Sequence, residues 1–479
     1  MYYPSLEEVK KYQGSGNLVP VYREIIADLE TPVTAFLKID QGGYSFLLES
    51  VEGGQRLARY SFIGTDPYRI IKIDKDNAVD PLPIIAKELN NYIVVPVSEL
   101  PRFCGGAVGY LGYEVINRFE KLPSPENDQL KLPESMFMFV DTLLVFDHVT
   151  HKVKALSFVR IDGNIEQAYQ EAVDKIEALV SRLAKPLKAE HYDKLNSQPV
   201  NDGEITSNIS RAKFETGVQK IKQFITSGEA IQVVLSQRLA KPTKVEPFAV
   251  YRALRTINPS PYMFYLNFKD FQLVGASPEI LVRVEDGKVV TRPLAGTRPR
   301  GKTVVEDIKL EHELKNDEKE RAEHIMLVDL GRNDIGRVSE AGTVEVSELM
   351  DVERYSHVMH LVTNVQGKLS KDKNAFDALR ACFPAGTVSG APKIRAMEII
   401  AGIEPSKRGP YAGAVGYFSF LGDMDMAIAI RTLVMKQGFA YVQAGGGIVY
   451  DSIPEKEYEE SMNKARALLN AVKQAESSS

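Results

Sequence analysis

Two acidic stretches, DEKERAEH at 317–324 and EKEYEESMNKA at 455–465, hold the side chains of this sequence best suited to chemistry. Each reads as the opening of a helix with two carboxylates three residues apart, Glu320 with Glu323 and Glu457 with Glu460. Lys464 follows on the same helical stripe as Glu457 and Glu460. Facing a common cleft, two such helices would give hard oxygen ligands to Mg²⁺, an ion that keeps waters and takes an oxygen from an anionic substrate. A solvated helix face has the same spacing, so the pairs draw meaning from their surroundings.

Those surroundings include several groups suited to anions. AGGG at 444–447, with Gly445, Gly446 and Gly447, reads as a turn before the last helix, where backbone N–H groups can approach a ligand closely. A second Gly/Thr/Ser-rich turn, PAGTVSGAPKIRAMEII at 384–400, lacks the GxxxxGK[ST] pattern of a nucleotide loop and leaves carboxylate binding through Thr387. Arg431 falls in MAIAIRTLVM, read as one apolar strand, where a guanidinium needs a carboxylate or another anion. Tyr411, just before AGAVGYF, could share that anion. ERYSHVMHLVTNV offers His357 and His360 for acid–base work, and GASPEILVRV offers Glu279 after a Ser-Pro turn.

The elements that must position these groups are α+β in pattern. Residues 1–185 read mostly as short strands (AFLKI, YSFLLES, RIIKI) closed by a helix over 167–184. The polar stretch 186–208 reads as a linker, and 209–473 as a second unit. Its first helix has Phe214, Val218, Ile221 and Ile225 on one stripe and stops at Gly228. AGAVGYFSF, MAIAIRTLVM and FAYVQAGGGIVY read as three consecutive antiparallel strands. The final helix starts near Pro454 and buries Tyr458, Met462, Ala465, Leu469 and Val472. Large antiparallel sheets packed as a sandwich, with helices outside, are expected.

Composition narrows the partners. A net charge of −5 argues against nucleic acid and anionic membranes, so an anionic substrate must meet local charge such as RPLAGTRPRGK at 292–302. Two cysteines give no disulfide framework, and no signal pattern or bilayer-length apolar run occurs. A cytoplasmic protein is expected.

In order along the chain, QVVLSQR, GASPE, RPLAGTRPRG, ERAEHIMLVDLGRND, RYSHVMHL, FPAGTVSGAPK, GPYAGAVGY, AIAIRT, AGGGIV and EYEESMNKA resemble the motifs of the chorismate-utilising enzymes. The whole length resembles the anthranilate synthase large-subunit branch of that family. The resemblance implies Mg²⁺ held by Glu323 and Glu460, with Glu320 and Glu457 as acidic neighbours. It implies a dianionic substrate, chorismate, whose carboxylates meet Tyr411, Arg431, Gly445, Gly446, Gly447 and Lys464, with Gly296, Thr297 and Thr387 lining the pocket. His360 matches the family's active-site histidine, and Glu279 the acid that protonates the departing ring hydroxyl.

Two positions separate branches of the family. Isochorismate and salicylate synthases have a water-activating lysine where Gln232 stands, and aminodeoxychorismate synthases a lysine where Ala295 stands. Both differences imply direct addition of ammonia, delivered from glutamine by a separate glutamine amidotransferase subunit. An aminodeoxychorismate synthase is disfavoured by Ala295, and a silent sensor by the intact acidic residues and His360. LLES and NPSPYMF resemble the family's tryptophan feedback site, with Glu49, Ser50, Pro261, Tyr262 and Met263 at the matching positions. There, Glu49 is expected to meet the ammonium and the Pro/Tyr/Met surface the indole.

Overall fold

The computed structural model describes residues 1–26, 29–50, 59–77, 79–187, 204–355 and 358–478. His357 and most of the 186–208 linker lie outside them. Among the described residues the chain builds two antiparallel sheets, of twelve and ten strands, flanked by helices. The expected α+β sandwich is what forms.

Burial explains the layering. Strands Gly106–Leu111 and Ser135–Val140 are buried at every position, so both faces of the ten-stranded sheet are covered there. One apolar cluster joins Phe62, Phe264 and Leu273 of the larger sheet to Val108, Phe137 and Phe418 of the smaller, and takes in Ile85, Leu89 and Leu379 from helices beyond. A second cluster lies on the other face of the larger sheet. There Phe36, Ile176, Tyr251, Leu254, Leu469 and Val472 bring four helices onto Leu47, Tyr265 and Val442. The 211–226 helix buries Phe214, Val218 and Ile221 as its spacing requires. Ala465, Leu469 and Val472 of the last helix are buried, whereas Tyr458 and Met462 are half-buried.

The two stretches on either side of the linker do not make separate sheets. Strand Ser45–Glu49 pairs with Tyr262–Asn267, putting Glu49 opposite Met263. Strand Ala414–Ser419 pairs with Gly106–Leu111. A period-two pattern says which face of a strand is buried but not which strand lies beside it, so this interleaving is invisible in sequence.

Two readings of local structure need correction. AGGG at 444–447 is not a turn: it lies inside strand Phe439–Ile448, paired from Ala444↔Gln237 to Gly447↔Val234 with strand Gln232–Pro242. MAIAIRTLVM is not one strand. Met424–Ile428 belongs to the ten-stranded sheet and Thr432–Lys436 to the twelve-stranded one. Arg431, at φ 48°, breaks the ladder between them. Both halves are apolar because both are core, so hydrophobicity gave no sign of the break.

A buried cation ties several of these parts together. Arg408 is 2% exposed. It donates to both oxygens of Glu404 (2.8 and 2.7 Å) and to the Val388 and Val234 carbonyls (2.7 and 2.9 Å). Its guanidinium lies 4.6 Å from the Tyr113 ring centroid, and Glu114 accepts from its backbone N–H at 2.7 Å. Arg408→Ala would strand the Glu404 carboxylate in the core. The expected loss is about 3–5 kcal/mol of unfolding free energy, read from the midpoint of chemical denaturation.

Candidate functional site

Two of the places where the chain changes sheet lie side by side. Strand Gln272–Ser277 is in the larger sheet and Ile280–Glu285 in the smaller, so Pro278 and Glu279 cross the seam. Residues 429–431 cross it beside them. The crossings are stitched by Ile428 N–H to the Glu279 carbonyl (3.0 Å), Ala276 N–H to the Arg431 carbonyl (3.1 Å) and Ser277 Oγ to the Ile428 carbonyl (2.7 Å). Two polar side chains are thereby forced into the interior. Burial pushes the Glu279 carboxyl up to about 8, with Thr387, the Leu294 backbone and Arg431 offsetting part of the rise. Burial lowers the Arg431 guanidinium, and Glu279 pulls it back up. Among the described residues Thr387 Oγ1 makes no well-formed hydrogen bond, and the groups that act on the Arg431 guanidinium are Glu279 and Tyr355. Thr387 and Arg431 are groups suited to an incoming carboxylate.

His360 stands on strand Val358–Lys368, opposite Thr297 of strand Leu294–Pro299. The register slips between Ala295 and Thr297 because Gly296, at φ 67°, forms a bulge. The bulge turns the Gly296 carbonyl to within 2.9 Å of His360 Nδ1, with Thr297 Oγ1 at 3.1 Å. A carbonyl only accepts, so Nδ1 carries the proton and Nε2 keeps its lone pair. Burial lowers the His360 pKa to about 4, and Arg431 adds to this while the Gly296 bond and Glu353 oppose it. The imidazole is therefore neutral at physiological pH.

The acidic pairs sit on the helices Glu318–Gly336 and Pro454–Ser478, as their spacing required. Asp317 caps the first by accepting from the Lys319 and Glu320 N–H groups. The two helix starts share one electrostatic neighbourhood. Burial raises Glu323, and Glu320 and Glu460 raise it further; burial raises Glu457, and Glu460 adds to that. Arg298 answers Glu320 at 3.1 Å and Lys464 answers Glu460 at 2.8 Å. Gly296 and Gly446 make room for the carboxylates. A Cβ on Gly296 would sit 3.1 Å from Glu320 Oε2, and one on Gly446 3.2 Å from Glu457 Oε2.

Beyond Val442 the Phe439–Ile448 strand has a partner on one side only. Alternate peptide groups of Gly445–Gly447 are thus free of a ladder, and Lys464 Nζ donates to the Gly445 carbonyl at 3.0 Å. The donor set fits Mg²⁺, which needs one or two carboxylates and fills its shell with water and substrate oxygens. Among the described residues no three His, Cys, Asp or Glu side chains stand close enough to form a ready-made cage.

Tyr411 is buried over Arg408, 5.5 Å from guanidinium to ring centroid. His324, fully buried on the helix between the acidic pair and the sheet, was not singled out by sequence; its Nε2 lies 2.6 Å from Thr363 Oγ1. Its place in ERAEH, one residue past Glu323, was the available signal.

Glu49, Ser50, Pro261, Tyr262 and Met263 converge elsewhere, lining a cavity of about 360 Å³ between the sheets together with Arg283, Tyr417 and Asp425. Among the described residues Ser50 Oγ, buried there, has no hydrogen-bond partner. The Glu49 carboxylate is taken by Arg255, at 3.0 and 3.2 Å, and by the Tyr251 hydroxyl, so it already has its cation.

The raised Glu279 pKa has a stability consequence. Folded, Glu279 keeps its proton up to about 8, against 4.5 for a glutamate free in water. Its contribution is therefore present below pH 4.5 and lost as pH rises through 8. Glu279→Gln should gain stability relative to the parent between those pH values, read by paired denaturation series.

Residues 43–470 match the chorismate binding enzyme family. The chain is 51% identical to anthranilate synthase component 1 of Acetivibrio thermocellus and 46% identical to that of Aquifex aeolicus. These alignments cover 99% of this chain and 99% of the first relative, and 99% and 98% for the second. Its fold matches the crystal structure of anthranilate synthase component I from Streptococcus pneumoniae with a TM-score of 0.78 at 39% identity, over 93% of this chain and 99% of that one. With a family match over most of its length and relatives near half-identical end to end, this chain belongs to the chorismate binding enzymes and, within them, to the anthranilate synthase component 1 family.

Proposed function

We propose that the chain is an anthranilate synthase large subunit that converts chorismate and ammonia to anthranilate and pyruvate. The observation that carries this is the seam: a protonated carboxyl at Glu279 beside the Arg431 guanidinium, with a neutral His360 close by.

Chorismate, a dianion, would place one carboxylate toward Arg431 and Tyr411, and its ring carboxylate toward Gly445–Gly447, Lys464 and the acidic pairs. Glu323 and Glu460, with Glu320 and Glu457 beside them, would hold Mg²⁺, which when bound neutralises the ring carboxylate and draws electrons from the conjugated ring. Glu279 donates its proton to the hydroxyl leaving carbon 4 as ammonia bonds to carbon 2, so that water departs. His360 Nε2 then accepts the carbon-2 proton while the carbon 3–oxygen bond breaks. The enolpyruvyl group leaves as pyruvate and the ring becomes aromatic. Thr387 lines the pocket beside Glu279, and Thr297 helps hold His360.

No lysine stands at 232 or 295. Ala295 is buried and Gln232 packs its amide against Gly447, so neither activates water nor attacks the ring. Ammonia is left as the nucleophile, supplied in this reading by a separate glutamine amidotransferase subunit. The 360 Å³ cavity is proposed as a tryptophan site, of a size usual for small-molecule sites. With Glu49 held by Arg255 and Asp425 by Arg283, it falls to backbone carbonyls to meet the ammonium.

Incubation with chorismate, Mg²⁺ and ammonium salt should yield fluorescent anthranilate without a second enzyme; an aminodeoxychorismate product, or none, would refute the reading. Glu323→Gln should lower turnover at least about a hundredfold with an unchanged denaturation midpoint, and parental activity would remove it from the metal set. Ser50→Phe should fill the cavity and relieve tryptophan inhibition at parental turnover, and undiminished inhibition would count against that site.

A further inference from the structure

Tyr355 lies where it can control His360, and nothing in the reaction above uses it. Its ring stands edge-on to the imidazole, with centroids 5.7 Å apart and planes at 62°. Its hydroxyl donates to Glu353 Oε2 at 2.8 Å, and Arg292 donates to the other Glu353 oxygen at 2.5 Å. Glu353 is the cross-strand partner of His360. The Tyr355 backbone is pinned as well: its N–H donates to the Val358 carbonyl (2.8 Å) and its carbonyl accepts from Arg300 (2.7 Å). Arg431 feels the same tyrosine from the seam side.

We propose that Tyr355, anchored through Glu353 and Arg292, is the positioning residue that holds the His360 imidazole with Nε2 facing the substrate. The inference rests on the reading of His360 as the proton acceptor. The Gly296 carbonyl and Thr297 Oγ1 both meet the imidazole at Nδ1, and contacts at that one atom leave the ring free to rock about its χ2 bond. An aromatic edge against its face removes that freedom. The hydroxyl tether to Glu353 in turn fixes the tyrosine ring.

Arg292 has a second effect. The charged groups acting on His360 are Glu353 from the neighbouring strand and Arg431 from the seam. Glu353 favours the protonated imidazole, and Arg292 screens it. With Arg292 in place the histidine stays neutral and able to accept a proton. With Glu353 left unscreened, its pull on the imidazole strengthens and the His360 pKa rises, which weakens the acceptor most at the acid end of the working range.

The test uses the full chain with chorismate, Mg²⁺ and ammonium salt. Tyr355→Phe, which keeps the ring and cuts the tether, should lower kcat about tenfold with KM for chorismate within about twofold of the parent. Tyr355→Leu should lower kcat about a hundredfold. For Arg292→Gln, the ratio of variant to parental rate at equal pH should fall as pH drops from about 8.5 to about 6; the ratio cancels the changing supply of free ammonia. Parental kcat in folded Tyr355→Leu, a loss confined to KM, or a pH-independent Arg292→Gln ratio would overturn the proposal. His360→Ala separates this from the underlying reading. Parental turnover there defeats the proton-acceptor role itself, whereas an inactive His360→Ala beside a fully active Tyr355→Leu defeats only the role given to Tyr355.

Discussion

The structure depends on a chain that leaves one sheet for the other at two neighbouring places. A strand ending in mid-core must hand its polar backbone to new partners or bury it unsatisfied. Here each crossing segment supplies the other's partners, through Ile428 with the Glu279 carbonyl and Ala276 with the Arg431 carbonyl. That mutual satisfaction lets a carboxyl and a guanidinium stand inside the protein, each with its pKa displaced by burial. Perturbed groups that partly compensate each other are costly to stability and useful to catalysis. The seam is where both hold.

The acidic helix starts follow a different logic. Burial raises Glu323 and Glu457, neighbouring carboxylates add to the rise, and the chain answers with single cations, Arg298 on Glu320 and Lys464 on Glu460. Neither pair is deeply buried, so both can be exchanged for another cation at modest cost. A cluster with an excess of carboxylate and replaceable counter-charges suits a divalent ion that arrives with, or just before, an anionic ligand.

Interleaving of the two halves of the chain gives the proposed regulatory cavity its position. Its walls come from both sheets, with Met263 opposite Glu49 in one and Gly416 and Asp425 in the other. Glu49 is not free within it. Its carboxylate points to Tyr251 and Arg255 on the helix Pro247–Ile257, which packs in the same apolar cluster as the last helix, the one carrying Glu457 and Glu460. A ligand that shifts the 45–49 strand would therefore bear on an element packed against the helix that carries Glu457 and Glu460. Coupling between two sites needs a shared element of this kind.

Sequence alone settled the residue types and the local elements. The helical spacing of Glu320 with Glu323 and of Glu457 with Glu460, the stripe of the 211–226 helix and the ordered family motifs were all legible, because periodicity and motif order are one-dimensional properties. Apart from the family motifs, local pattern left Glu279 as a carboxylate after a Ser-Pro turn, Arg431 as a residue within a strand, and AGGG as a turn. Each reading failed to reach the site for the same reason: burial, sheet membership and left-handed backbone at one residue are set by what packs alongside. Tertiary structure alone decided that Glu279 keeps its proton, that His360 presents Nε2, and that Glu49 belongs to Arg255. A pKa or a tautomer is fixed by neighbours distant in sequence, and no local pattern encodes them.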